Sequence, residues 1–184
     1  MKRSASVLLF SALAAAVPFV AQAAMKDIGD TDIKFLAVGP AGMKINGTSD
    51  EAKAGEKDGK ITISVPVSSL KTGIGLRDKH LKGYLNADKC PNVSLSVERS
   101  KLKFPDNDKE VEGSATGDFT LNCVTKPMAF KYKAKRTGSD YHVQAFFKDD
   151  VDITKHNVEV PCYLGVCVQK DIKVKAKFKL RDGK

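Results

Sequence analysis

Residues 70–91, LKTGIGLRDKHLKGYLNADKCP, interrupt a chain that otherwise alternates between apolar and polar residues. Glycine and threonine open the stretch as a turn, and Asp78 is predicted to cap the start of a short helix. Three apolar residues then recur at i, i+3 and i+4 and would share one face of that helix: Leu81, Tyr84 and Leu85. We interpret the segment as a helix across the mouth of a β structure, and an ordinary linker helix is the alternative.

Outside this segment, apolar and polar residues alternate with a period of two, which is typical of strands with one buried and one solvated face. Residues 60–68 show the pattern clearly, and in residues 171–180 the lysines alternate one for one with apolar residues. Residues 48–59 are polar and predict an exposed turn. We count about eight strands in an all-β domain, and the short links between them make the strands antiparallel.

A sheet of about eight strands can close into a barrel that either fills its interior or holds one small ligand. Several inward positions are glycine or alanine and leave space, and an apolar lumen favours a hydrocarbon-like ligand because burial contributes about 25 cal/mol per Å². The same residues suit the filled core of a β-sandwich acting as an interaction or stress-response module. For the barrel, the predicted ligand-binding residues are Phe35, Ile63, Val65, Leu81, Tyr84, Leu85, Leu95, Phe119, Phe130, Tyr132, Phe147 and Phe178.

Residues 1–23 have the pattern of a secretory signal peptide. Lys2 and Arg3 precede an apolar run over residues 7–20, and Ala21-Gln22-Ala23 supplies the small residues of a cleavage site. The run is too short to span a membrane comfortably. We therefore predict a protein exported to the periplasm, with one domain over residues 24–184.

The chain is basic, with a formal net charge of +9 at pH 7. Its lysines are spread along solvated strand faces, which favours solubility and edge protection over a concentrated binding surface. It contains no tryptophan and no recognisable nucleic-acid motif. We predict no nucleic-acid partner, whereas transient contact with a membrane surface and a homodimer are both compatible with this charge.

Four cysteines follow the predicted signal peptide: Cys90, Cys123, Cys162 and Cys167. In an oxidising compartment an even number is interpreted first as disulfides, and four cysteines permit three connectivities. Cys162 and Cys167 enclose a short loop that Gly165 can turn, so we predict that they pair, which leaves Cys90 with Cys123. The C-x4-C spacing is not that of common zinc sites, and no C-x-x-C redox motif occurs.

Residues of catalytic type form no recognisable motif. His80, His142 and His156 are scattered, and neither G-x-S-x-G nor H-E-x-x-H occurs. The acidic residues at 149–152 lack the spacing of a calcium loop. We predict a protein without catalytic residues, metal or cofactor, and therefore not an enzyme.

These segments together resemble the YceI-like polyisoprenoid-binding family. ITISVPVSSL, TGIGLRDKHLKGYLNADKCP and VSLSVERSKL resemble that family's strand, TG turn, RDxHL helix and KxP turn in the same order. FLAVGPAGMKINGTS is similar to its opening hairpin, GDFTLNCVTKPM to its TL-x-x-x-TKPV segment, and VEVPCYLGVCVQKDIKVKAKFKL to its closing strand. The resemblance spans nearly all of residues 24–184.

The resemblance implies an extended antiparallel lipocalin-like barrel whose apolar lumen holds an isoprenoid or similar lipid. Cys90 stands where tyrosine is common in the family and Cys123 where glycine is common, and the two replacements together favour a bridge between them. Many members carry a histidine soon after the aromatic residue of the first strand, whereas this chain has Gly39-Pro40 nearby and no histidine, so this part of the mouth departs from the family pattern. We predict noncovalent transport or storage of an isoprenoid, such as a quinone, with Arg77 and His80 near its head group. A helix-start ion pair of Arg77 with Asp78 is the alternative.

Overall fold

Thirteen strands and one α-helix make up residues 24–183, the part of the chain that the computed structural model describes. The predicted signal peptide, residues 1–23, lies outside it. Short 3-10 helices cover Pro40–Gly42, Val67–Ser69, Arg99–Lys101 and Ile153–His156. The α-helix and strands are α1 (Gly75–Tyr84), β1 (Lys26–Asp27), β2 (Asp32–Val38), β3 (Lys44–Ser49), β4 (Lys53–Lys57), β5 (Lys60–Pro66), β6 (Asn92–Glu98), β7 (Glu110–Leu121), β8 (Val124–Thr137), β9 (Asp140–Phe147), β10 (Val151–Asp152), β11 (Cys162–Tyr163), β12 (Val166–Cys167) and β13 (Asp171–Arg181).

Nine strands form one curled antiparallel sheet in the order β3-β2-β13-β9-β8-β7-β6-β5-β4. The short strands β1 and β10 pair with opposite ends of β13, and β11 and β12 form a separate hairpin. Most neighbours in the sheet are also neighbours in sequence, because tight turns join antiparallel strands. The prediction of an antiparallel barrel with one short helix is therefore confirmed, and the curled sheet is a half-barrel of nine strands.

Each edge of this sheet is hydrogen-bonded to other backbone at one position. On the β3 edge, the N–H groups of Thr48 and Lys71 each donate to the other residue's carbonyl oxygen, at 2.8 and 3.0 Å. On the β4 edge, the Glu56 N–H donates to the Met25 carbonyl oxygen at 2.9 Å. Because an uncovered edge would invite pairing with another chain, these contacts protect part of each edge.

One end of the interior is filled with side chains. Leu180 and Ala134 are fully buried there, with 0% exposure. The Tyr132 hydroxyl accepts a hydrogen bond from the Lys103 N–H at 2.6 Å, so this large side chain is buried without an unpaired polar group. Its ring packs directly on Gly113, where a Cβ atom would lie 2.5 Å from the hydroxyl oxygen. The Tyr132 ring therefore fits in this position because residue 113 has no side chain.

The segment at residues 48–59, predicted as an exposed turn, contains β4 instead. Strand β4 pairs with β5 from Lys53↔Ser64 to Lys57↔Lys60. Its residues have weak strand propensity, but Ala54 is only 2% exposed. Pairing with β5 and burial of the small Ala54 side chain outweigh the polar composition that suggested a turn.

The start of α1 also differs from the prediction. The N-cap position of α1 is Ile74, with no side-chain cap, and Asp78 lies inside the first turn. Strand β6 ends at Glu98, where a 3-10 helix follows it directly. Leu102 is nevertheless buried and Phe104 packs edge-on against Tyr141, with ring centroids 5.1 Å apart. Both residues therefore pack against the core although they lie outside a strand.

Candidate functional site

The open end of the half-barrel contains an apolar cavity of about 520 Å³. Its walls come from the inner faces of β2, β5, β6, β7, β8, β9 and β13, from α1, and from the segment between β10 and β12. This volume is within the range of about 300–1,000 Å³ that is usual for ligand sites. The filled interior of a β-sandwich, the alternative left open by the periodicity, does not describe this fold.

Most of the predicted ligand-binding residues line this cavity: Phe35, Ile63, Val65, Leu81, Tyr84, Leu85, Leu95, Phe119, Phe130 and Phe147. Tyr132 and Phe178 do not. They border a second cavity of about 20 Å³ at the filled end. Alternation along a strand tells which face a residue occupies but not how deep it lies, and these two residues are closer to the filled end. Contact of any of these residues with a ligand stays a prediction.

Helix α1 places its predicted apolar stripe in the cavity wall. Leu85, directly after the helix, is buried, while Leu81 and Tyr84 are partly buried against the core. The chain beyond the helix is held by the Cys90–Cys123 disulfide and by a 2.7 Å hydrogen bond from the Asn86 amide to the Asn122 side-chain oxygen. These two contacts connect the helix to the turn between β7 and β8 and so fix one wall of the cavity.

Polar side chains of the cavity wall gather where α1 begins. The Arg77 guanidinium donates to the Thr72 hydroxyl at 2.7 Å and to the Thr72 carbonyl oxygen at 2.6 Å. Asp78 accepts hydrogen bonds from the hydroxyl and the N–H of Thr72. The hydroxyl bond is the main reason that the pKa of Asp78 is lowered. Arg77 and Asp78 therefore meet through Thr72, and no direct ion pair forms between these two described residues.

Both predicted head-group residues lie at this polar border. Arg77 and His80 line the cavity together with Thr72, and His80 is exposed to solvent. Hydrogen-bond donors at the mouth and apolar side chains below it make the site amphipathic. Contact of Arg77 and His80 with a lipid head group is still a prediction.

The hairpin of β11 and β12 forms a wall of the cavity that the strand pattern did not predict. The second disulfide, Cys162–Cys167, closes this hairpin, and both disulfides have the predicted pairing. At its tip Leu164 and Gly165 have φ of 48° and 77°, the left-handed pair of a tight hairpin turn. Lining residues from this segment are Pro161, Cys162, Val166 and Val168. Apolar residues between and beside the two cysteines were the signal that could have identified it.

A buried histidine supports the cavity from behind. His156 is 2% exposed, and its Nδ1 lies 2.9 Å from the Val124 carbonyl oxygen. The Asn122 amide donates to the carbonyl oxygens of His156 and Asn157, at 3.1 and 3.0 Å. The imidazole also packs edge-on against Phe119, with ring centroids 5.3 Å apart. His156 therefore holds the Phe119 wall in place, a role that its position in the sequence did not indicate.

The Asp152 side chain, in β10, forms an ion pair with Lys170, which directly precedes β13. Hydrogen bonds from the Lys170 ammonium and from Thr154 lower the pKa of the Asp152 carboxyl to about 2. The Lys170 bond is 2.6 Å long. Ile153, the next residue, lines the cavity, so this ion pair positions part of the wall.

The lowered pKa predicts a defined acid dependence. Because the folded-state pKa lies below the ordinary value of 3.8, the Asp152 carboxylate stabilises the fold above pH 3.8, and this contribution is lost between about pH 4 and pH 2. We expect the urea concentration at the midpoint of unfolding to be lower for Asp152→Asn than for the unchanged protein at pH 7. Near pH 2 the two midpoints are expected to be nearly equal. Asp150→Asn, a neighbouring exposed carboxylate, is the control. An equal difference at both pH values would contradict the prediction.

Within residues 24–183, no group of histidine, cysteine and carboxylate side chains is arranged to hold a metal ion. None of the helices in that range has the length and apolarity needed to cross a bilayer.

Comparison with known sequences identifies relatives over part of their length. A UPF0312 protein of Photorhabdus laumondii is 35% identical over 98 residues, which cover 50% of this chain and 45% of that protein. Protein YceI of Escherichia coli is 32% identical over 83 residues, which cover 44% of this chain and 40% of that protein. The matched segments thus span less than half the length of these curated relatives.

Solved structures share the fold over most of the chain. A polyisoprenoid binding domain from Saccharophagus degradans, implicated in plant cell wall breakdown, has a TM-score of 0.70 at 11% identity and covers 88% of this chain and 99% of its own. Burkholderia cenocepacia BcnA has a TM-score of 0.63 at 10% identity, covering 81% and 95%. The model of the YceI-like domain family matches residues 28–180. The chain therefore belongs to the YceI-like domain family.

Proposed function

We propose that the protein binds an isoprenoid or another long-chain lipid noncovalently and carries or stores it in the periplasm. The observation that carries this proposal is the cavity of about 520 Å³, apolar inside and bordered by Thr72, Arg77 and His80 at its mouth. Transfer of a hydrocarbon tail from water into such a space stabilises the complex by about 25 cal/mol per Å² of buried apolar surface. No bond is made or broken in this mechanism.

Two further observations support the ligand class and the compartment. A solved structure of the same fold is a polyisoprenoid binding domain, which favours an isoprenoid over a generic fatty chain. The two disulfides fit an oxidising compartment, as the predicted signal peptide does. A quinone is the isoprenoid that we favour, because Arg77 and His80 offer donors to its carbonyl oxygens.

Native mass spectrometry of the purified protein tests the proposal. We expect a complex heavier than the polypeptide by one lipid, which organic solvent releases for identification. If the purified protein is free of lipid, incubation with geranylgeraniol or a short-chain ubiquinone is expected to produce a one-to-one complex. A chain mass that stays unchanged after both treatments would favour the ligand-free interaction module.

We also propose that the mouth of the cavity docks on an anionic phospholipid bilayer during lipid transfer. The most exposed large apolar side chains of residues 24–183 either line the cavity or lie within two residues in sequence of a cavity-lining residue, and Leu164, at the hairpin tip, is 84% exposed. Exposed lysines, such as Lys44 and Lys79, accompany them and complement anionic head groups. The other apolar residues of this rim are Met43, Ile74, Leu76, Phe146 and Val166.

Leu164→Glu is expected to weaken binding to phosphatidylglycerol-containing vesicles by roughly ten- to a hundredfold, because insertion of a buried leucine contributes about 1.5–3 kcal/mol. Co-flotation of the protein with the vesicles measures this binding. The matched control is Ser139→Glu, which makes the same charge change in the β8–β9 turn at the opposite end of the strands. Equal losses in both variants would show that net charge, and not the rim, determines binding.

A further inference from the structure

Phe130 lies at the inner end of the large cavity. Four residues border both the large cavity and the small one behind it: Ile63, Leu95, Phe130 and Ala145. Phe130 is the largest of the four and is 3% exposed. The space in front of the ring measures about 520 Å³ and the space behind it about 20 Å³. The side chain of Phe130 therefore divides one continuous barrel interior into an open part and a nearly closed one.

Packing holds the Phe130 ring in this position. A Cβ atom at Gly117, on the adjacent strand, would lie 3.4 Å from Phe130 Cε1, so the ring edge already sits over that glycine. On its other side is Tyr132, with ring centroids 6.2 Å apart. Tyr132 is itself anchored by its hydrogen bond to the Lys103 N–H. A ring supported in this way does not move aside easily for a longer ligand.

The open part has a limited capacity. A water-sized group occupies about 30 Å³ of liquid volume, so a cavity of about 520 Å³ holds roughly 15–20 non-hydrogen atoms. That corresponds to three or four five-carbon units of an isoprenoid. Any longer tail must leave through the mouth, where further carbons stay in water and add little to the affinity.

We propose that Phe130 sets the length of isoprenoid tail that the cavity buries, so that affinity rises up to about 15–20 carbons and stays level for longer chains. This inference rests on the proposed function and specifies the substrate class of the same cavity. Phe130 acts as a specificity-determining residue because it ends the apolar path along which the tail can be buried.

Displacement of a fluorescent fatty-acid probe by linear isoprenols of increasing length tests the proposal. For the unchanged protein we expect affinity to rise by more than tenfold per five-carbon unit from geraniol to farnesol, and to level off between geranylgeraniol and solanesol. In Phe130→Ala the two cavities merge, so the plateau is expected to move to longer chains. Phe130→Leu, a milder change, serves if the alanine variant does not fold.

A second variant tests the same idea in the opposite direction. Val174 faces the large cavity from β13 and is only partly buried, so Val174→Phe has room to fill space in the middle of the lumen. We expect this variant to prefer geraniol or farnesol over geranylgeraniol. A continued tenfold rise from geranylgeraniol to solanesol in the unchanged protein, or an unmoved plateau in a folded Phe130 variant, would overturn the proposal. Absence of binding at every chain length would instead refute the proposed function itself.

Discussion

Val174→Asp is expected to weaken lipid binding by more than a hundredfold. Val174 lies on the inner face of β13, opposite Phe35 of β2, and lines the large cavity. In the empty protein the new carboxylate can be hydrated, because the cavity is open at its mouth. A bound tail would displace that water, and removal of an ion from water costs several kcal/mol, while each 1.4 kcal/mol weakens binding tenfold. Titration with geranylgeraniol measures the loss.

The matched control for this variant is Gln144→Asp. Gln144 lies on the outer face of the same sheet. Its replacement by aspartate changes the net charge by the same amount as Val174→Asp. In register it faces Lys177 and Lys133, so an aspartate there has basic neighbours and is expected to leave lipid binding unchanged. Retention of full affinity by Val174→Asp, with its fold intact by circular dichroism, would show that the tail does not occupy this cavity.

Removal of the Cys90–Cys123 disulfide is expected to destabilise the fold by about 3–4 kcal/mol. The bridge closes a loop with a sequence separation of 33 residues. The chain-entropy model assigns about 3.7 kcal/mol to a loop of that length, since the cross-link restricts the unfolded chain. Because the bridge also fixes the chain after α1, we expect the double variant Cys90→Ala, Cys123→Ala to retain less lipid. Urea unfolding measures the free-energy change, and native mass spectrometry the lipid occupancy.

The second disulfide provides an internal comparison. Cys162 and Cys167 are separated by only 5 residues, for which the same model gives about 2 kcal/mol. The double variant Cys162→Ala, Cys167→Ala is therefore expected to lose less stability than the first. Equal losses, or no loss in the first variant, would contradict the assignment of Cys90–Cys123 as the main cross-link.

Much of the cavity could be predicted from particular residues before its shape was known. Ile63 and Val65 alternate with polar neighbours in β5 and line the cavity as predicted. The helical spacing of Leu81 and Tyr84 likewise identified the face of α1 that turns inward. These predictions succeeded because side-chain direction follows from local backbone geometry, which has a fixed period in strands and helices.

Other parts of the site depend on contacts between distant residues. Val166 and Val168 became a cavity wall because the chain after the hairpin bonds to β2, with the Gln169 N–H donating to the Val38 carbonyl oxygen at 2.8 Å. Strand β4 formed because β1 and β5 lie beside it, although its own residues favour a turn. No local pattern carries that information.

The sequence by itself determined the alternation of inner and outer residues, the antiparallel class of the sheet, and the pairing of four cysteines that the structure shows. Only the tertiary structure decided how deep each inward residue lies, so Phe130 ends the cavity while Tyr132 and Phe178 fill the space behind it. The physical reason is that direction is set within a few residues of chain, whereas depth depends on the register and curl of strands far apart in sequence.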